Sequence, residues 1–322
     1  MQHNNTVPCD RDALPCVGNV LRYLSETAGK RIVTGQHTQT MEQEELTYIH
    51  DVTGKYPALI GFELLSYSPN INFVDTDDEC MDEVAHNCGT LRRAWEWAQR
   101  KALLTFTWHW FSPLYGRSKS FFTANTEFDA SRAVIPGTPE NEALLSDMDV
   151  MAGYLRPFCD SGVPILWRPF HEGDGDWFWW GAKGADTVKA LYRIMYERYT
   201  GKHGLHNLIW VWNSPVAECF PGDDVVDIIS RDMYPEPHTH TSQREMYEEL
   251  IRITDAPKTA LIGETGTLPD PDAIAEEGVG WASFMTWSGK YCIGEEHNTE
   301  DALRRVYSSY HAVTLDKLPE LY

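Results

Sequence analysis

The sequence is short of positive charge. Its 322 residues carry 27 Lys and Arg against 48 Asp and Glu, a formal net charge of -21. Such a surface repels phosphate backbones and anionic lipid headgroups alike, which makes nucleic acid and membrane surfaces poor partners and leaves a neutral substrate compatible. Long apolar runs are missing too. No stretch reaches the roughly 18 consecutive apolar residues that a membrane-spanning helix needs. The opening residues, Met1 to Asn5, have neither a basic nor an apolar segment, so no secretory signal is visible. The expected location is the cytoplasm if Met1 is native, and outside the cell if a signal has been removed.

Cysteine is scarce and irregularly placed. Seven residues are too few for a disulfide scaffold, and the odd count leaves at least one thiol free. Cys9 with Cys16, and Cys80 with Cys88, are close enough in sequence to bridge across loops in an oxidising compartment. Reduced thiols are the preferred reading. No Cys-x-x-Cys pair occurs, which argues against a structural zinc site. No repeat, low-complexity tract or Gly/Ser-rich linker interrupts the chain, so one catalytic domain over residues 1–322 is expected.

What is present is ordinary globular composition, 42% hydrophobic and 23% charged, with an excess of aromatic residues: 12 Trp, 15 Tyr and 12 Phe. The tryptophans cluster beside His and acidic residues. Indole faces stack on the apolar C–H faces of sugar rings, so such clusters suggest a carbohydrate cleft; for any single Trp, core packing is the competing reading.

A short apolar run, a polar or aromatic loop and an amphipathic helical stretch recur along the chain, the pattern of successive βα units. Eight runs are found, at 31–34, 57–62, 102–107, 163–168, 208–212, 225–230, 259–263 and 281–286. Continuous rather than alternating apolar character fits strands buried on both faces of a parallel sheet. Helices are predicted between them, among them 91–100, 140–159, 185–199 and 243–254. The fold class is therefore α/β, a (β/α)8 TIM barrel, with enlarged loops after strands two and three of about forty and about fifty residues, far longer than usual connections. These loops are expected to build cleft walls. A monomer is expected, with residues 111–136 the alternative site for a contact between copies.

In this fold the active site lies at the C-terminal ends of the strands. Strand three runs into Trp108, His109 and Trp110; strand four into Arg168, His171 and Glu172. Strand six leads to Asp232 and Tyr234, strand seven to Glu264 and strand eight to Trp287. Retaining glycoside hydrolysis needs one carboxyl group that donates a proton and one carboxylate that attacks the anomeric carbon. Glu172 and Glu264 follow strands four and seven, which face each other across the barrel mouth. Glu172 precedes the run Trp177-Phe178-Trp179-Trp180, whose rings could desolvate it and raise its pKa, the property of a general acid and then base. Glu264 is assigned nucleophile, with Tyr234 and His109 as candidate hydrogen-bond donors. Arg168 could hold a carboxylate or sugar hydroxyls with its planar fork, or form a structural salt bridge. His171 could orient the acid or a hydroxyl. Asp232 could bind a hydroxyl or fix an arginine.

Residues 167–181, Trp-Arg-Pro-Phe-His-Glu-Gly-Asp-Gly-Asp-Trp-Phe-Trp-Trp-Gly, closely resemble a segment of glycoside hydrolase family 26, whose best-known members are β-1,4-mannanases. Thr-Gly-Gln-His at 34–37, Thr-Trp-His-Trp at 107–110, Asp-Met-Tyr-Pro at 232–235, Ile-Gly-Glu-Thr-Gly at 262–266 and Thr-Trp-Ser at 286–288 extend the resemblance over nearly the whole chain. It implies a retaining mechanism without metal or cofactor, Glu172 as acid/base and Glu264 as nucleophile. It also implies substrate contacts at Arg168, His171 and Trp177, His109 and Tyr234 as neighbours of Glu264, and a sugar platform at Trp287; Trp108, His109, Asp232 and Tyr234 are counted as candidate substrate contacts from their places at the strand ends. The implied substrate is β-mannan, glucomannan or manno-oligosaccharide; the family also includes activities on β-1,3-xylan and mixed-linkage β-glucan. Gly173-Asp174 stands where family members typically carry Met-Asn or a similar pair, a departure that would alter a sugar subsite.

Two other classes compete. His37, His109, His171 and Asp232 around one rim could bind zinc. However, strand one ends in a lone histidine, and the one His-x-His, His238 to His240, falls in a Pro-rich loop. A non-catalytic sugar-binding barrel would keep the tryptophans and lose a carboxylate, whereas both glutamates are present.

Overall fold

The computed structural model describes residues 6–39, 41–114 and 116–322. Residues 1–5, where no secretory signal was read, lie outside it, as does one residue of the 111–136 segment. Eight parallel strands close on themselves: β2 (Gly35–Thr38), β3 (Leu59–Glu63), β4 (Leu103–Thr107), β5 (Ile165–Arg168), β6 (Leu208–Asn213), β7 (Ile228–Met233), β8 (Thr259–Thr265) and β9 (Trp281–Thr286). Closure is made where Gln36 of β2 meets Thr286 of β9. The Gln36 side chain donates across that seam to the carbonyls of Thr286 and Trp287, both at 3.0 Å. This is the (β/α)8 barrel expected from the apolar runs.

The first run divides in two. Its apolar pair forms β1 (Ile32–Val33), which pairs outside the barrel with β10 (Ala312–Val313) and touches β9, while the barrel strand begins at Gly35. The sixth run is displaced by three residues: Val225 and Val226 are buried ahead of β7, and the strand continues through Arg231 and Asp232. Charges are tolerated there because each has a partner, Arg231 with Glu249 and Asp232 with Arg168. The long helix Pro139–Asp160 matches its prediction to one residue at each end. Thr138 caps its first turn and Pro139 opens it. Helix 243–254 is shorter than expected, running over Arg244–Leu250.

Helix α1 (Pro15–Thr27) seals the N-terminal end of the barrel. Its Val17, Val20, Leu21 and Leu24 pack on Leu59, Leu103, Leu166, Ile209, Ile228 and Leu261, which project from the strands. The larger core lies between the barrel and its ring of helices. Higher in the barrel the lining shifts to Thr105, Ser230, Gly263 and Ser283, and then to Arg168. The apolar plug at one end leaves the opposite, charged end as the open mouth.

Asp147, on the long helix Pro139–Asp160, ties the two enlarged loops together. Its carboxylate accepts from Asn70 Nδ2 at 2.8 Å, in the loop after β3, and from Trp110 Nε1 at 2.9 Å, in the loop after β4. All seven cysteines are free in the structure. Among the described residues no helix is long and apolar enough to cross a membrane.

Candidate active site

The floor of the mouth is a single polar network built from the ends of five strands. Arg168, at the last position of β5, is 2% exposed. Its Nη1 donates to both oxygens of Asp232 at 3.1 and 2.8 Å. Its Nη2 donates to Thr107 Oγ1 at 2.9 Å and to Glu264 Oε1. The other oxygen of Glu264 accepts from the Tyr234 hydroxyl at 2.7 Å. Asn213, closing β6, donates to Asp232 Oδ1 and accepts the backbone N–H of Glu172, both at 2.8 Å. The two glutamates are thus joined through Asn213, Asp232 and Arg168.

A bulge aims Glu264 into this network. Between β7 and β8 the register slips, so that Arg231 faces Ile262 while Asp232 faces Glu264. The extra residue, Gly263, resets the alternation of inward and outward side chains along β8. Glycine leaves the room this needs: a Cβ at this position would lie 2.5 Å from Asp232 Oδ1 and 2.6 Å from Asn213 Nδ2, so one or both would have to shift.

Glu172 sits in the turn beyond β5, with left-handed φ of 51° at Glu172 and 52° at Phe170. Such values are uncommon for residues with a side chain and mark a turn that its surroundings over-determine. The Glu172 carboxylate accepts from Trp177 Nε1 at 2.8 Å. Burial, followed by the negative charge of Asp232, raises its pKa to about 7, against the opposing influence of Trp177, Arg168 and His109. For Tyr234, burial and the neighbouring carboxylates raise the phenol pKa, so it remains a donor.

His109 pairs with Glu63, the last residue of β3. Its Nδ1 lies 2.7 Å from Glu63 Oε2 and its backbone N–H donates to Oε1 at 2.8 Å. Burial opposes a charge on His109, but the Glu63 carboxylate outweighs it and raises the pKa. His171 lies behind, with its Nε2 3.2 Å from His109 Nε2. Burial, then the charges of His109 and Arg168, holds its pKa well below the usual value. With His171 held neutral, the two Nε2 atoms share one hydrogen bond.

Both predicted glutamates are at the mouth, and Tyr234 meets Glu264 as expected. Several other expectations are corrected. His109 does not hydrogen-bond Glu264, because Glu63 holds its Nδ1. Arg168 and Asp232 take the second of the roles expected for each, a salt bridge with each other in place of a sugar contact, with both side chains buried. Trp108 is buried in a stack with Trp110, with Nε1 donating to Ser68, so it supports the loops instead of facing the cleft. His171 is likewise buried. In the aromatic run, Trp179 and Trp180 point inward, donating to the carbonyls of Trp110 and His171, and only Trp177 reaches Glu172. The surfaces open to a ligand are Trp177 and Tyr234, 46% and 44% exposed, with half-buried His109 and Trp287. The Trp287 ring stacks at 4.0 Å on buried His37. Gly173 fits closely, since a Cβ there would lie 2.9 Å from the Trp212 ring.

Glu63 and Asn213 were missed from the sequence. Each immediately follows a predicted apolar run, and that placement was the available signal. Among the described residues no three His, Cys, Asp or Glu side chains form a metal-binding set.

A closed parallel barrel whose mouth holds two glutamates on one buried network defines a (β/α)8 protein with a paired-carboxylate site. The comparisons narrow the class: residues 11–317 match glycosyl hydrolase family 26, and the chain belongs to that family. It is 36% identical over 304 residues to a mannan endo-1,4-beta-mannosidase of Thermothelomyces thermophilus, covering 92% of this chain and 60% of that one. It is 30% identical over 311 residues to mannan endo-1,4-beta-mannosidase B of a Piromyces species, covering 95% and 52%. The chain thus spans little more than half the length of these curated relatives. The crystal structure of the Podospora anserina GH26-CBM35 β-(1,4)-mannanase superposes with a TM-score of 0.88 at 32% identity, covering 98% of this chain and 69% of that one. A β-mannanase from a symbiotic protist of the termite Reticulitermes speratus, complexed with gluco-manno-oligosaccharide, gives 0.87 at 29% identity, covering 98% of both.

Proposed function

We propose that the protein is a retaining glycoside hydrolase that cleaves β-1,4-mannosidic linkages within mannan, glucomannan or manno-oligosaccharides. The observation that carries this reading is the unequal setting of the two glutamates. Glu172, with a pKa of about 7, keeps a proton available near neutrality. Glu264 faces a guanidinium and a phenol hydroxyl, partners suited to a carboxylate.

Glu172 donates its proton to the glycosidic oxygen as Glu264 attacks the anomeric carbon and the leaving sugar departs. The Glu172 carboxylate then takes a proton from water, whose oxygen displaces Glu264 and restores the original anomeric configuration. The Arg168 and Tyr234 donors orient Glu264 for attack. Trp177, Trp287, Tyr234 and His109 offer the surfaces on which sugar rings would lie.

The choice of mannan is supported by relatives named as mannan endo-1,4-beta-mannosidases and by the gluco-manno-oligosaccharide complex of the termite-symbiont enzyme. Product profiling on mannohexaose beside xylan and mixed-linkage glucan tests it. Short manno-oligosaccharides, first formed in the substrate's anomeric configuration by NMR, are expected. No release from mannohexaose would overturn the substrate, and first-formed product of inverted configuration would overturn the mechanism. Equal release by the unmodified protein and Glu264→Ala would overturn the nucleophile.

A further inference from the structure

The contact between Trp177 and Glu172 is made by the indole of a residue that is 46% exposed, on a loop, with two rotatable side-chain bonds. Something must hold it. On one side the ring lies flat against Gly175, where a Cβ would fall inside the contact distance of three indole carbons. No other residue type leaves room for the ring in this position. The backbone of the same loop is held from a different element: Thr123, in the loop after β4, donates its N–H to the Trp177 carbonyl and its hydroxyl to the Asp176 carbonyl, both at 2.7 Å. The flanking pair is continuous with this clamp. Phe122 and Phe178 form an antiparallel bridge and stack at 5.5 Å, and Trp179 donates to the Phe121 carbonyl at 3.1 Å.

We propose that Gly175 and Thr123 are positioning residues for Glu172, holding the Trp177 indole where its Nε1–H meets the carboxylate. The inference rests on Glu172 being the acid/base. Segment 121–123 acts as a short partner strand for 177–179, so the enlarged loop after β4 braces the acid's own loop. The acid is fixed twice, through its backbone by Asn213 and through its side chain by Trp177.

Two readouts on Gly175→Ala test this, with Trp177→Phe as reference and Thr123→Val as a second, near-isosteric variant should the first not fold. The first is kcat/KM on a manno-oligosaccharide beside a dinitrophenyl manno-oligoside, whose leaving group needs no proton. Gly175→Ala is expected to lower the former by about tenfold or more beyond its effect on the latter, whose loss reports only the sugar contact of Trp177, since acid assistance matters only for the poor leaving group. The second readout needs no activity. In protein with 15N-labelled indoles, the resonance lost in Trp177→Phe is expected to titrate with Glu172 in the unmodified protein. In Gly175→Ala it should move to the position of a free indole and cease to titrate. An unchanged resonance, or equal loss on both substrates, would overturn the inference. Failure of the unmodified protein on both substrates would overturn the functional reading, leaving the resonance to decide the positioning.

Discussion

Arg168 and Glu264 form a buried ion pair at the mouth of the barrel, and the same guanidinium holds Asp232 in a two-pronged contact. One cation thus serves two carboxylates. With all three side chains out of water, the arrangement is balanced only while the arginine is present.

Removing it strands two charges. Arg168→Met is expected to destabilise the fold by about 3–5 kcal/mol, the range for breaking a buried pair by deleting one partner. It should also lower kcat by two orders of magnitude or more, about the cost of one preorganised donor at a reacting group. Urea unfolding and steady-state kinetics on the same preparation check both.

The pH profile should report Glu172. Burial raises its pKa to about 7, and a general acid works in its protonated form. Activity is therefore retained below that value and lost as pH rises through it, giving an alkaline limb in kcat/KM near pH 7. Glu172→Gln should remove that limb and cost about 10²–10⁴-fold on substrates with sugar leaving groups. An alkaline limb that survives in Glu172→Gln would assign the ionisation to another group.

How much of this was legible in the sequence follows from what each feature depends on. The barrel was readable because strands buried on both faces are continuously apolar, and the strand ends then located Glu172 and Glu264. The loops carry no such period. Nothing local distinguishes Trp108, buried against Trp110, from Trp177, turned to solvent. Glu63 and Asn213 escaped because one polar residue after an apolar run looks like the start of any loop. The partner of His109 depends on contact between β3 and the loop after β4, a long-range fact; the expectation of Glu264 was reasonable by type and wrong in geometry.

The bulge at Gly263 belongs with those long-range features, and it can be probed directly. A methyl group there would press on Asp232 and Asn213 together, at 2.5 and 2.6 Å. Gly263→Ala is expected to cost about 1–3 kcal/mol, as overpacking a tight interior does. The larger effect should be on kcat, because displacing Asp232 and Asn213 disturbs the settings of both glutamates. Thermal unfolding beside kinetics separates the two. A stability loss with kcat intact would show that the network tolerates the shift.

Tyr234 touches Glu264 at the oxygen that Arg168 leaves free, with its hydroxyl 2.7 Å from Oε2. Burial and the nearby carboxylates push the phenol pKa upward, so the hydroxyl keeps its proton through the working range and adds no limb to the pH profile. Tyr234→Phe removes only that donor. A hydrogen bond to a charged acceptor contributes about 1.5–3 kcal/mol, which corresponds to a fall in kcat of roughly tenfold to more than a hundredfold. In the mechanism proposed above this bond orients the Glu264 carboxylate for attack, so the first chemical step should slow while the alkaline limb set by Glu172 stays in place. Pre-steady-state kinetics on a dinitrophenyl manno-oligoside separates the steps. A smaller burst rate at an unchanged limb is expected; a displaced limb with an unchanged burst would place Tyr234 on Glu172 instead.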